Sequence, residues 1–326
     1  MNKRMFGKTG VMVSEIGLGT WQLGTGWGRP FDKEEAMKIL EEADRNDINF
    51  IDTADVYNGG ESEKAIGDYI TTHPDRFYIT TKCGRRLKPH TDESYTPAAI
   101  RGFVEDSLTR LKRDRLDMIL LHCPPTSVFK RDDIFGELAL LKKEGKLRDY
   151  GVSIEKVEEG IMTMEYDIAA IEVIFNMFRL KPLDKLFPLC KKNNVGVIAR
   201  VPLASGLLTG KYTINTTFHE KDHRSYNREG ASFDKGETFS GVPYETGLEC
   251  VEELKKIFKT EDLAAIAIRW ILMFDSVSTV IPGASRASQL VSNLKAAELP
   301  ALSSDQMEKV KMLYETRLKD IIHPQW

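Results

Sequence analysis

The sequence has 326 residues, of which 41% are hydrophobic and 29% are charged, as is usual for a soluble globular protein that buries a large core. Its 46 basic and 49 acidic residues leave a net charge of −3, which gives no reason to expect nucleic acid or an anionic membrane as a partner. The N-terminal residues do not resemble a signal peptide, no apolar run is long enough to span a bilayer, and the four cysteines lack zinc-site or disulfide spacing. We therefore expect a cytoplasmic protein with reduced thiols.

The first predicted elements are a hairpin, a strand and a helix. Residues 5–13 alternate around a Gly-rich turn and predict a short β-hairpin, and residues 16–21 predict a strand that ends in a loop. Asp32 is placed to cap the first helix, with Glu35 three residues later. A second apolar strand then runs into Asp52.

The same strand-and-helix unit recurs to the end of the chain. The predicted strands end near residues 82, 122, 153, 175, 201 and 281, and predicted helices cover residues 62–71, 96–111, 133–143 and 182–190, with a later one capped by Ser303 and Gln306. About eight apolar strands, nearly each followed by an amphipathic helix, indicate a parallel sheet covered by helices. This pattern over most of residues 1–326 predicts a single (β/α)8 barrel domain of the α/β class.

A doubly wound sheet is the alternative fold. It would favour a Gly-x-Gly-x-x-Gly turn after a strand, and Gly17 and Gly19 begin such a pattern, but Gln22 replaces the third glycine. The barrel is therefore the better interpretation.

Residues 212–243, after the seventh barrel strand, interrupt the alternation of strands and helices. They have little apolar periodicity and contain His219, His223, Arg224 and Arg228. A segment of this length without regular elements is typical of a functional lid or a mobile loop, and an ordinary surface loop is the alternative.

Four side chains suited to proton transfer follow consecutive predicted strands. Asp52 ends the second barrel strand and Tyr57 lies just beyond it, while Lys82 and His122 end the third and fourth strands. Each has an ordinary structural explanation when it is considered alone. Because the carboxyl ends of barrel strands converge on one mouth, we expect these four groups to share a pocket.

This set fits the reduction of a carbonyl group. A phenol has a pKa of about 10, and a nearby ammonium favours its ionised form, so Lys82, oriented by Asp52, would make Tyr57 a better proton donor. His122 would bind the carbonyl oxygen, Tyr57 would protonate it, and the hydride would have to come from a nicotinamide.

The chain resembles the aldo-keto reductases along nearly its whole length. It is most similar to the bacterial branch that includes general stress reductases, and more distantly similar to the β-subunits of voltage-gated potassium channels. The resemblance implies Tyr57 as proton donor, with Asp52, Lys82 and His122 completing a tetrad. The matching stretches are residues 6–10, 16–21, 51–57, 81–82, 121–122, 150–153, 205–211 and 281–284.

The resemblance also implies a site for NADPH or NADP+, with NADH the weaker candidate. Residues 205–211 offer a glycine backbone and a lysine to a pyrophosphate, and the helix start after the last strand would hold the adenosine 2′-phosphate. Arg286 favours NADPH because a guanidinium can pair with that phosphate, although a solvated helix-start arginine is the alternative. The candidate cofactor residues are Gly19, Thr20, Trp21, Asp52, Ser153, Glu172, Arg200, Pro202, Leu203, Ser205, Gly206, Leu207, Lys211, Gly283, Ser285, Arg286, Gln289 and Asn293.

Three positions near the expected nicotinamide depart from the family pattern. Ile154 stands where the family often has Asn, Glu172 where Gln is usual, and Arg200 where an aromatic residue often stacks on the ring. These changes leave the tetrad intact but put the geometry and affinity of cofactor binding in question.

The substrate is specified only by class, as a hydrophobic or aromatic aldehyde or ketone. Trp21, Trp27 and Phe129 are candidates for an apolar rim beside Tyr57 and His122. Two other functions remain open at this point: a Schiff-base aldolase that uses Lys82, and an NADP(H)-sensing module with weak turnover. We expect no nucleic-acid or membrane partner and a monomer or weak homo-oligomer, whereas the physiological substrate and the direction in the cell are not specified by the sequence.

Overall fold

The computed structural model describes residues 1–26 and 28–326. Two strands, β1 (Lys3–Met5) and β2 (Met12–Ser14), form the antiparallel N-terminal hairpin. The barrel strands are β3 (Leu18–Gly19), β4 (Phe50–Asp52), β5 (Tyr78–Cys83), β6 (Leu116–His122), β7 (Leu147–Ser153), β8 (Ala170–Ile174), β9 (Gly196–Arg200) and β10 (Thr279–Val280).

The eight barrel strands are parallel and follow each other in chain order around the sheet. Parallel bridges from Ile16 to Val280 and from Gly19 to Gly283 join the first strand to the last. The predicted (β/α)8 barrel is therefore confirmed. The first and last barrel strands are shorter than predicted, because β3 and β10 are joined to each other by isolated bridges and not by a continuous ladder.

Helices cover the outside of the barrel, except for one short helix that lies at its mouth. They are α1 (Lys33–Arg45), α2 (Glu61–Thr72), α3 (Pro97–Leu111), α4 (Asp132–Lys143), α5 (Val157–Met162), α6 (Leu186–Lys192), α7 (His223–Tyr226), α8 (Tyr244–Phe258), α9 (Ala264–Leu272), α10 (Ala287–Glu298), α11 (Ser304–Arg317) and α12 (Lys319–Ile322). No helix among the described residues is long and apolar enough to cross a bilayer.

The predicted helix caps are present. Asp32 accepts a hydrogen bond from the Glu35 amide at 3.1 Å, and Ser303 and Gln306 form a reciprocal capping box. The helix predicted for residues 182–190 is different, because a 3-10 turn covers Lys181–Leu183 and α6 begins only at Leu186. Pro188 lies in the first turn of α6, where its missing N–H costs no helical hydrogen bond.

The hairpin closes the N-terminal end of the barrel. Phe6 has no exposed surface, and its ring lies 5.3 Å from that of Phe50 and 5.6 Å from that of Tyr78, both edge-to-face. A second, larger core lies between the strands and the surrounding helices. With one end filled by the hairpin, only the carboxyl ends of the strands are left to form a cavity.

The long segment after β9 lies against the barrel mouth. Residues 212–243 contain α7 and the 3-10 turns Lys235–Glu237 and Phe239–Gly241. Several of its side chains are buried, among them Asp222, His223 and Thr238. The segment is therefore packed against other parts of the protein, as the contacts of Trp21 with His223 and of Ser205 with Glu237 show. We call residues 212–243 the mouth segment.

Candidate active site

The four predicted proton-transfer groups lie at one end of the barrel. Asp52 and His122 are the last residues of β4 and β6, and Lys82 is the penultimate residue of β5. Tyr57 begins the 3-10 turn Tyr57–Gly60 that follows β4. Because β4, β5 and β6 are adjacent parallel strands, their ends place these residues next to each other.

Lys82 is the centre of the group and has no exposed surface. Its Nζ donates to Asp52 Oδ1 at 2.6 Å and Oδ2 at 2.7 Å, to the Thr53 carbonyl at 3.1 Å and to Tyr57 Oη at 3.2 Å. The ring of Tyr57 also lies edge-to-face with that of His122 at 6.0 Å. An acid, an amine, a phenol and an imidazole therefore share one pocket.

A second carboxylate approaches the same ammonium. Glu172 Oε2 lies 3.4 Å from Lys82 Nζ, and Glu172 Oε1 lies 3.7 Å from Arg200 Nε. Arg200 forms a further ion pair with Glu237 and donates to the Ile154 carbonyl at 2.9 Å. The Glu172 carboxylate and the Arg200 guanidinium thus face each other, and each offsets the charge of the other.

Burial governs the protonation of the site. Burial and the Glu172 carboxylate raise the pKa of Asp52, although Lys82 opposes this shift. Burial lowers the pKa of Lys82, but the Asp52 and Glu172 carboxylates outweigh this effect and the pKa is raised, so the ammonium stays charged. Burial, with Lys82 and Arg85 nearby, holds the pKa of His122 well below its usual value, so the imidazole is neutral at pH 7.

The phenol behaves differently from the sequence-based expectation. Burial raises the pKa of Tyr57, and although Lys82 lowers it, Asp52 and Glu172 counteract the ammonium, so the net pKa lies above the usual value. Tyr57 is therefore protonated throughout the neutral range. It can donate a proton to a developing alkoxide, but it is a weak acid towards water.

A cavity of about 460 Å³ opens above these groups. Tyr57, His122 and Trp21 line one part of it. Most of the predicted cofactor residues line it as well: Gly19, Thr20, Trp21, Asp52, Ser153, Glu172, Arg200, Pro202, Leu203, Ser205, Gly206, Gly283 and Gln289.

Six of the described residues that were predicted to bind cofactor or substrate do not line the cavity: Phe129, Leu207, Lys211, Ser285, Arg286 and Asn293. Phe129 has no exposed surface and belongs to the core between strands and helices, so the prediction that it forms a rim is wrong. Leu207 is also fully buried in that core, and the Lys211 side chain is 66% exposed and 3.7 Å from Asp262. Trp27 lies outside the described residues.

The residues predicted to hold the adenosine end surround the start of α10. Arg286 is the N-cap residue of this helix. The Ser285 amide and hydroxyl both donate to Gln289 Oε1, at 3.0 and 3.1 Å. Asn293 is buried and donates to the Gly283 carbonyl at 3.2 Å, so it holds the loop and has little surface of its own for a ligand.

The mouth segment supplies cavity residues that had no assigned role in the sequence-based prediction. Tyr212, His223, Arg224, Phe233 and Glu237 all line the cavity. The Trp21 ring lies 5.2 Å from His223, 6.1 Å from Phe233 and 6.4 Å from Tyr57, which makes an aromatic wall beside the phenol. The histidines and arginines in this segment marked it as unusual, but nothing in their spacing showed which of them reach the cavity.

Buried polar atoms without a hydrogen-bond partner among the described residues indicate that the cavity can hold a polar ligand. Glu172 Oε2, Arg200 Nε and His122 Nδ1 are buried and have no hydrogen-bond partner within residues 1–26 and 28–326. Such groups are costly unless a ligand or water satisfies them. At the other end of the cavity, Gly206 has a φ of +94°, which favours glycine, and the Tyr212 side chain, which also lines the cavity, fills the space where a Cβ would lie.

Comparisons with known proteins show which family the chain resembles over nearly its whole length. The model of the aldo/keto reductase family matches residues 15–315. An uncharacterized oxidoreductase, YqkF, of Bacillus subtilis is 30% identical over 98% of both chains, and an NADH-specific methylglyoxal reductase of Escherichia coli is 28% identical over 94% of this chain and 96% of the relative. The solved structure of a glycerol dehydrogenase from Gluconobacter oxydans superimposes with a TM-score of 0.79 at 28% identity, covering 100% of this chain and 98% of that one. Probable and putative voltage-gated potassium channel β-subunits also match.

Proposed function

This chain belongs to the aldo/keto reductase family, and we propose that it is an NADPH-dependent reductase of aldehydes and ketones with Tyr57 as the proton donor. The family consists of oxidoreductases that act on small carbonyl compounds with nicotinamide cofactors. The observation that carries the proposal is the contact of one buried ammonium, Lys82 Nζ, with both the Asp52 carboxylate and the Tyr57 hydroxyl.

Each group of the tetrad has a distinct task in this proposal. Neutral His122 donates a hydrogen bond to the substrate's carbonyl oxygen and fixes its position beside Tyr57. Tyr57 passes its proton to that oxygen, and Lys82 stabilises the phenolate that remains. Asp52 keeps the ammonium in place through two short hydrogen bonds. A bound nicotinamide supplies the hydride.

Glu172 Oε2 and Arg200 Nε lie at ion-pair distance from their neighbours but have no hydrogen-bond partner among the described residues, and they are complementary to a carboxamide. Glu172 Oε2 is an acceptor and Arg200 Nε is a donor, and both are buried in the cavity wall. An amide presents an NH2 donor and a carbonyl acceptor, so both atoms would be satisfied by the nicotinamide's own amide. We therefore assign these two residues to the carboxamide, with Ser153, whose hydroxyl lies 3.3 Å from Glu172 Oε1, as their neighbour.

The preference for NADPH depends on Arg286. The other cofactor is used by at least one relative, since the Escherichia coli methylglyoxal reductase is named as NADH-specific. We expect Arg286→Ala to raise the Kd for NADPH about tenfold, because a charge-assisted hydrogen bond to the 2′-phosphate is lost, and to leave the Kd for NADH unchanged. Fluorescence titration with both cofactors measures this.

Lys295→Ala is the matched control, since it removes one positive charge from the exposed surface near the other end of α10. Its Kd for NADPH should equal that of the wild type. Equal losses of NADPH affinity in the two variants would assign the effect to general charge and contradict the role of Arg286.

The function itself is tested by following NADPH oxidation at 340 nm with a panel of aliphatic and aromatic aldehydes and ketones. We expect steady turnover of several members. Tight NADPH binding without turnover of any member would favour a sensing module over a reductase.

A further inference from the structure

Arg85 is a cavity residue that the proposed chemistry does not use. It lies just after β5, and its side chain is 23% exposed on the wall of the cavity that Tyr57 and His122 also line. Gly84, before it, has a φ of +102°, and a Cβ there would lie 2.6 Å from the buried Tyr95 hydroxyl. A glycine at this turn therefore lets the chain fold tightly over Tyr95 and direct Arg85 to the cavity.

Most of the Arg85 guanidinium has no hydrogen-bond partner among residues 1–26 and 28–326. Its contacts, 3.3 Å to the Cys123 carbonyl and 3.5 Å to Glu155 Oε1, are both long and both involve Nη1. The single N–H of Nε and the two of Nη2 have no hydrogen-bond partner in the described part of the chain. The other arginines lining the cavity are engaged: Arg200 pairs with Glu237, and Arg224 with Asp222.

The order of strands places Arg85 on the substrate half of the mouth. β5 lies between β4, which precedes Tyr57, and β6, which ends at His122. The loop with Ser205 and Gly206 follows β9, four strands away in the eight-stranded ring. The strand that leads to Arg85 is thus on the opposite side of the ring from the strand that leads to this loop.

We propose that Arg85 binds an anionic group on the carbonyl substrate, a carboxylate or a phosphate, and that it thereby selects the substrate class. The inference rests on the proposed reductase function. A free guanidinium edge offers parallel N–H donors that match two oxygens of either anion. His122 and Tyr57 would hold the carbonyl group while Arg85 holds the charged end of the same molecule.

The surrounding charges leave Arg85 available for this role. Burial raises the pKa of the nearby Glu155 to about 7, so this carboxyl is only partly ionised at neutral pH. Glu237 is committed to Arg200 through a direct ion pair. The substrate's anion would therefore be the principal partner of Arg85.

The test compares substrates that differ only in charge. We expect the wild type to reduce 4-oxobutanoate with a kcat/KM at least about tenfold above that for its methyl ester, or to show the same preference for glyceraldehyde 3-phosphate over glyceraldehyde. Arg85→Gln should lower that ratio by about 10-fold to 100-fold, and Arg85→Lys should restore part of it. Arg86→Gln is the matched control, because Arg86 is the next residue, is exposed and does not line the cavity.

A binding measurement that needs no turnover accompanies the kinetics. Calorimetric titration of the NADP+ complex with succinate and with inorganic phosphate should show the preferred anion binding more weakly to Arg85→Gln than to the wild type or Arg86→Gln. The pair of substrates that shows the preference identifies the anion.

Equal kcat/KM for charged and neutral partners in both pairs would overturn the inference and leave the reductase function standing. An equal fall for charged and neutral substrates in Arg85→Gln would also overturn it, since Arg85 would then only hold the loops together. Reduction of neither member of any pair, nor of the wider aldehyde panel, would overturn the proposed function and this inference together.

Discussion

Replacement of Tyr57 by Phe is expected to lower kcat/KM for aldehyde reduction by about 10²-fold to 10⁴-fold, the range for loss of a general acid. The change removes the proton donor and one hydrogen bond from Lys82, but it keeps a ring beside Trp21. Affinity for NADPH should therefore change little. Steady-state rates and a fluorescence titration with NADPH on the same preparation measure both quantities.

Tyr166→Phe is the control for this variant. The Tyr166 hydroxyl donates to Asp132 at 2.9 Å in an exposed contact, and neither residue lines the cavity. This variant loses a hydroxyl and a hydrogen bond without touching the site, so its kcat/KM should match the wild type. If Tyr57→Phe retained wild-type kcat/KM, another group would have to supply the proton.

Replacement of Lys82 by Met is expected to lower the free energy of unfolding by about 3–5 kcal/mol and to abolish reduction. Lys82 has no exposed surface and lies against the Asp52 and Glu172 carboxylates, so its removal leaves buried acidic groups without their cation. Urea unfolding at pH 7, followed by circular dichroism in the absence of cofactor, measures the loss.

A surface lysine provides the comparison. Lys8 pairs with Asp167 at 2.5 Å, but the two side chains are 33% and 66% exposed, so Lys8→Met should cost less than about 1 kcal/mol. The double variant Lys82→Met/Asp52→Asn should recover part of the stability lost by Lys82→Met, because one buried carboxylate is removed as well. A Lys82→Met protein as stable as the wild type would show that the ammonium does not balance these carboxylates.

The position of the tetrad could be predicted from the sequence because the pattern of apolar residues shows where each strand ends. Apolar runs that stop at Asp52, Lys82 and His122 place their last residues at one barrel mouth, and the structure has them there. The direction of the pKa shift of Tyr57 could not be predicted in this way. It depends on how completely the phenol is buried and on Glu172, which comes from a strand far along the chain.

The pairing of Glu172 with Arg200 had a signal in the sequence. Both are charged residues in apolar strands, and buried charges are usually paired. Because their strands are adjacent in the predicted barrel, each residue was the expected ion-pair partner of the other. Phe129 was misplaced because an aromatic residue after a strand end looks the same whether it faces the mouth or the core. Arg85 and Glu237 lie in irregular segments, where no periodicity shows which way a side chain points.

The transfer of deuterium from labelled NADPH to the product tests most directly the claim that this pocket reduces carbonyl groups. Separate reactions with the 4R- and 4S-deuterated cofactor and an accepted aldehyde, analysed by NMR, show where the label goes. We predict one deuterium at the carbinol carbon of the alcohol from one of the two labelled cofactors and none from the other. An alcohol without deuterium from either cofactor would contradict hydride transfer at this site.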